Sequence, residues 1–249
     1  MAIKLFDAHM HLVDPNYDQE REHILSFLRK YEMHLLANSS DLQTSIKTLE
    51  ISEKVKGKIF PFVGIHPWSS KNANIDRFKV FLEKNRERIC GIGEIGLDRK
   101  CSFEKQTDVF EEMLQLAEKL EKPVNIHSRG TMDKVINILS TFKLKKVLLH
   151  WFTGNSSQLR RSINKGYFLS FGPTVIYSKK TKRLAARTPH ELILTETDGP
   201  VPYPCFWDKK ALPTFLSSVV FSLSDVCKKS FDEIAEIVSV NSQRYIGNL

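Results

Sequence analysis

Short apolar runs recur along the chain near residues 3–8, 33–37, 59–64, 89–95, 123–126, 146–149, 167–171 and 192–195. Many are rich in Val, Ile and Phe, as strands buried in a parallel sheet tend to be. The segments between them show helical periodicity, most clearly near 18–31, 75–87, 104–121 and 131–142, with another near 231–246. In the third of these, Phe110, Leu114, Ala117 and Leu120 share one stripe, while Glu111, Gln115 and Glu118 fall off it. Strands alternating with helices predict a parallel sheet, and eight strands is the number that closes a barrel. The expected fold class is α/β, a (β/α)8 TIM barrel forming a single domain over residues 1–249. An open doubly wound sheet is the alternative, but no G-x-G-x-x-G follows the first run.

The chain's 249 residues suit one such barrel, and 41% apolar content supports a large core. No run approaches the roughly 20 apolar residues that span a bilayer, so no membrane partner is expected. The first residues lack a basic region followed by an apolar stretch and a cleavage site, and are read as carrying no signal peptide. Cys90, Cys101, Cys205 and Cys227 form no CxxC pair. Reduced thiols and a cytoplasmic location are the simpler reading. The net charge of +8 favours a polyanionic partner, although a lysine-rich solvated surface explains it equally well. The densest basic cluster runs from Lys179 through Lys180, Lys182 and Arg183 to Arg187.

The C-terminal ends of the runs carry the chemistry. His9 and His11 close the first, on one face of an extended strand. His66 follows the third, Glu94 lies in the fourth, His127 ends the fifth, His150 follows the sixth and Asp198 follows the eighth. Each has an ordinary explanation alone: a turn histidine, a paired carboxylate, a turn aspartate. Together they gather costly groups at the rim where active sites of this fold sit. Imidazole and carboxylate ligands suit zinc, manganese or iron, and carboxylate with water suits magnesium. The candidates are too many for one ion and enough for two sharing a carboxylate, which makes Glu94 or Asp198 the bridge.

At these residues the chain resembles the TatD-type metal-dependent hydrolases, a branch of the amidohydrolase-like barrels. The matching stretches are FDAHMH at 6–11, GIHP at 64–67, GEIGLD at 93–98, PVNIHSR at 123–129, HWFTG at 150–154 and ETDGP at 196–200, with Gln106 and the stretch from Asn241 to Gly247. They occur in family order from the first strand to the C-terminus. The resemblance implies two divalent cations (Mg²⁺, Mn²⁺ or Zn²⁺). His9, His11 and Asp198 would hold one, His127 and His150 the other, and Glu94 would bridge them. It places Asp198 as general base, and His66 and Arg129 towards the substrate as cations that balance phosphoryl charge. The chain departs from the pattern at Arg99, where many members carry an aromatic residue. It has ETDGP in place of ETDAP, and its loop from Val201 to Trp207 is unlike the bacterial one.

The leading expectation is a deoxyribonuclease, with 3′-5′ exonuclease action as one form of it, in which a metal-bound hydroxide attacks the phosphodiester. One alternative keeps the metals and hydrolyses a small amide, lactone or phosphate ester. A weaker one is a non-enzymatic nucleic-acid-binding protein with structural metals. DNA is the expected partner, no obligate protein partner is implied, and a monomer is expected.

Overall fold

Each apolar run becomes a strand. The computed structural model describes residues 3–247, and in it eight parallel strands follow one another in sequence order. They are β1 (Leu5–Met10), β2 (Met33–Asn38), β3 (Ile59–Val63), β4 (Gly91–Gly96), β5 (Val124–His127), β6 (Val147–Leu149), β7 (Phe168–Phe171) and β8 (Ile193–Thr195). The helices are α1 (Arg21–Lys30), α2 (Leu42–Lys54), α3 (Ile75–Asn85), α4 (Phe103–Lys119), α5 (Met132–Leu139), α6 (Ser156–Asn164), α7 (Thr174–Tyr177), α8 (Lys179–Ala186), α9 (Leu216–Cys227) and α10 (Phe231–Ile246). This is the expected (β/α)8 barrel, nearly closed. No helix among the described residues is long and apolar enough to cross a membrane.

The register of β1 departs from the expectation in an informative way. The strand lies two residues later than the apolar run, leaving Ile3 44% exposed while Asp7 and His9 are buried. Polar side chains end the apolar run before the hydrogen-bonded ladder ends, because this strand finishes in a polar barrel mouth.

The seam between β8 and β1 is closed partly by side chains. The Asp198 amide donates to the His9 carbonyl at 2.9 Å, and the His11 amide to the Gly199 carbonyl at 2.8 Å. The Thr195 hydroxyl donates to the Phe6 carbonyl at 2.7 Å. The buried Asp7 carboxylate accepts from the Thr197 amide at 3.0 Å and its hydroxyl at 2.5 Å. Burial pushes the Asp7 carboxyl up to about 7 even against these bonds. At the opposite end, Tyr245 of α10 stacks on Phe62 of β3, meets Phe168 of β7, and donates to the Val124 carbonyl of β5 at 2.9 Å. One side chain thereby ties three alternate strands, leaving the other rim for function.

Five helices, α2, α6, α7, α8 and α9, lie outside the segments of expected helical periodicity. α2 begins at Asp41, whose carboxylate and Thr44 form a reciprocal cap, and α6 begins the same way at Asn155 and Gln158. The β-branched, serine-rich sequence of α9 is a poor helix former, and burial of Leu216, Val219, Val220 and Leu223 holds it.

Candidate metal centre

The structure brings His9, His11, His66, Glu94, His127, His150 and Asp198 to one point at the C-terminal rim. Glu94 is at the middle and its two oxygens face different partners. Oε2 lies 3.1 Å from His11 Nε2 and 3.4 Å from His9 Nε2. Oε1 lies 2.7 Å from His127 Nδ1, 2.8 Å from His150 Nε2 and 3.5 Å from His66 Nε2. Asp198 Oδ1 stands on the first side, 3.5 Å from His9 Nε2 and 3.9 Å from His11 Nε2. The His9 and His150 rings stack between the two sides, centroids 3.8 Å apart.

Local backbone chemistry sets these positions. His9 and His11 leave β1 on the same face, with Nε2 atoms 3.2 Å apart. Gly96 closes the GEIG stretch at φ +146°, and a Cβ there would lie 2.0 Å from the His127 carbonyl oxygen. Only glycine lets the end of β4 lie so close to β5, which brings Glu94 and His127 together. Asp198 sits at φ +48°, a left-handed conformation that aspartate tolerates better than most residues.

Neighbouring side chains fix which ring nitrogens are free. The Asn125 amide nitrogen donates to the Ala8 carbonyl at 3.0 Å, so its oxygen faces His9 Nδ1 at 2.9 Å. His9 Nδ1–H is thus the donor, and Nε2 presents a lone pair to the centre. His127 Nε2–H meets Asp98 Oδ2 at 3.0 Å, which frees Nδ1 towards Glu94. His150 Nδ1 lies 3.7 Å from Glu196 Oε2, an oxygen anchored by the Ser170 hydroxyl at 2.6 Å. His66 is arranged the other way. Its Nδ1 accepts from the Trp68 amide at 3.1 Å, so Nε2 carries the hydrogen. Burial pushes the His66 imidazole down to about 3, which leaves it neutral. It is therefore a hydrogen-bond donor and not the cation expected from the sequence.

The carboxylates are held in different states. Burial raises the Glu94 carboxyl, but positive charge on the side facing it, carried by the imidazoles or by an ion they hold, outweighs burial and keeps it well below the usual range. Burial likewise opposes Asp98, and bonds from His127, the Lys100 amide, Trp68 and Arg129 more than offset it, so Asp98 stays ionised. For Asp198 burial prevails and its carboxyl is raised. Arg129 stands apart from the convergent set. It is 40% exposed and its guanidinium is paired to Asp98 Oδ2 at 2.6 Å.

Lone-pair nitrogens and carboxylate oxygens repel at 2.7–3.5 Å unless a positive charge lies among them. Those separations are what ligands sharing an ion at about 2.1 Å from each would show. Three overlapping groups qualify as cation sites: His9, His150 and Asp198; His9, His11 and Glu94; and His66, Glu94 and His127. The protonated Nε2 of His66 speaks against its use as a ligand. Asn125, Asp98 and Glu196 were not among the residues singled out from the sequence. The signal for Asn125 is a polar residue two positions before His127 in an otherwise apolar strand, and the other two sit inside GEIGLD and ETDGP.

A family profile described as TatD-related DNase matches residues 6–247. The chain belongs to that family. It is a hydrolytic enzyme acting on ester bonds. Among TatD relatives, the deoxyribonuclease TATDN3 of Homo sapiens is 29% identical, the match covering 100% of this chain and 96% of that protein. The uncharacterized metal-dependent hydrolase YabD of Bacillus subtilis is 28% identical, covering 96% of this chain and 98% of that protein. The crystal structure of the TatD homologue YjjV of Escherichia coli superimposes with a TM-score of 0.91 at 26% identity, covering 98% of each chain.

Proposed function

We propose that this TatD-family hydrolase is a deoxyribonuclease that cleaves phosphodiester bonds with two divalent cations. The observation that carries the reading is the division of labour at Glu94, with Oε2 towards His9 and His11 and Oε1 towards His127 and His150. A carboxylate that turns one oxygen to each of two imidazole pairs is built to bridge. We assign His9, His11 and Asp198 to one ion, His127 and His150 to the other, and Glu94 to both. When bound, such a pair acidifies a water and neutralises charge on the attacking and leaving oxygens.

The chain's own groups supply the rest. Asp198 directs Oδ1 at His9 and His11, and its second oxygen is the proton acceptor in this scheme. His66 offers Nε2–H to a phosphoryl oxygen, a neutral donor in a water-poor site. Arg129 is held by one nitrogen on Asp98, with its remaining donors free to reach a phosphate. The name of the human relative and the net charge of +8 support a polyanionic substrate such as DNA. All four cysteines are free thiols, which supports a reducing compartment such as the cytoplasm.

The test uses chelator-treated protein on single- and double-stranded DNA, with Mg²⁺, Mn²⁺ or Zn²⁺ restored in turn. Cleavage should require a divalent ion, and Asp198→Ala should lower kcat by about 10²–10⁴-fold. Equal cleavage by wild type and variant would remove Asp198 from the mechanism. Amide or lactone turnover without phosphodiester cleavage would move the substrate away from DNA.

A further inference from the structure

Trp68 lies just beyond His66 and Pro67, in the two-turn 3-10 segment Pro67–Asn72 after β3. It is 61% exposed, yet its ring is fixed in place. The indole Nε1–H donates to Oδ2 of buried Asp98 at 2.9 Å. That same oxygen takes His127 Nε2–H at 3.0 Å and an Arg129 nitrogen at 2.6 Å. The ring meets His66 edge to face, centroids 4.9 Å apart, and the Arg129 guanidinium carbon lies 5.1 Å from the indole centroid. One carboxylate oxygen therefore locks together a candidate metal ligand, a phosphate-directed cation and an aromatic plane.

We propose that Trp68 is a stacking surface for a nucleobase of the substrate, the base next to the phosphate that His66 and Arg129 receive. The inference rests on the deoxyribonuclease reading and adds a subsite to it. A nucleotide offers an anionic phosphate and a flat base a few ångströms apart. Arg129 lies over the indole of Trp68, so cation and flat ring are presented together, one imidazole away from Glu94. A tryptophan with only a packing role would bury its ring. Here the N–H is buried against a carboxylate and the ring faces out. The other tryptophans do not combine these features. Trp151 packs on Tyr203, centroids 5.5 Å apart. Trp207 is 87% exposed and its indole has no hydrogen bond among the described residues.

The experiment measures kcat and KM for wild type, Trp68→Ala and Trp68→Phe on one oligonucleotide. It repeats them on copies in which each nucleotide around the cleaved bond is replaced in turn by an abasic tetrahydrofuran. Loss of one base–aromatic stack should raise KM of Trp68→Ala by about 5- to 150-fold, with kcat within about threefold. Trp68→Phe, which keeps a ring but has no N–H, should recover most of that loss. At one abasic position wild type should fall to the level of Trp68→Ala, and the variant should lose nothing further. Three results would overturn the proposal: a kcat loss with KM unchanged, a Phe variant as poor as Ala, or additive losses at every abasic position. Each would make Trp68 a prop for Asp98. Failure of wild type to cleave any oligonucleotide with any of the three cations would instead sink the deoxyribonuclease reading, and this subsite with it.

Discussion

Asn125 shows how much one neutral side chain decides. Its amide is oriented by the Ala8 carbonyl, and that orientation selects the His9 tautomer with Nε2 free. Asn125→Leu removes the acceptor, so His9 can carry its proton on either nitrogen. Partners behind a ligand of this kind are typically worth 10–100-fold in metal affinity. Chelator competition should show a loss of about that size at the His9 side, with the barrel still folded by circular dichroism. Asn125→Asp, which keeps an acceptor facing Nδ1, should lose less. His66 makes the complementary point. Its residue type suggested a cation, but the amide of Trp68 and its own burial fix it as a neutral donor. Residue type was legible in the sequence, whereas protonation depends on partners that only the fold supplies.

His34 carries the argument at the scale of elements. It stands opposite Phe6 in the β1–β2 register and stacks on it at 4.5 Å, with Phe60 of β3 on its other side at 6.1 Å. This cross-strand ring stack lies away from the candidate metal centre. Burial, then repulsion from Lys58, pushes the imidazole down to about 4. A histidine whose folded pKa is depressed favours the neutral form in the native state. Its stabilising contribution is complete above the unfolded value of about 6.5 and is lost as pH falls from there towards 4. Urea titrations should show wild type losing up to about 3 kcal/mol more than His34→Phe across that window. Equal pH dependence of the two proteins would place the titrating group elsewhere. The strands were legible because each follows a short apolar run, many of them β-branched or aromatic, and α4 because its stripe is regular. The shift of β1 was not, since a polar barrel mouth hides the end of a strand from any reading of apolar runs. α2 and α9 were hidden too, as a cap and tertiary burial hold them more than periodicity does.

Over the whole molecule, five imidazoles and two acids are packed at one rim, and bringing them together without a cation opposes folding. A ligand that binds only the native state stabilises it by mass action, about 2.7 kcal/mol at 100 times Kd. For a chain of this size that corresponds to roughly 5–10 °C. Thermal melts of chelated protein should rise by that amount when the divalent ion is restored, and Glu94→Ala should abolish most of the rise. An unchanged melting temperature would mean that ions bind folded and unfolded chains alike. The candidate ligands themselves were legible because a parallel barrel maps strand ends onto one rim. The supporting groups, Asn125, Asp98 and Glu196, became visible only once the fold set them behind His9, His127 and His150.

The seam between β8 and β1 has a consequence for how the protein is made. His9 leaves the ribosome well before Asp198, with seven strands between their translation, yet the Asp198 amide must find the His9 carbonyl. The Asp7 carboxylate must likewise wait for Thr197. On the ligand assignment proposed above, a nascent chain that ends before β8 lacks one corner of the first ion's site and the contacts that hold β1 in place. Translation of β8 therefore both closes the barrel and completes the proposed site.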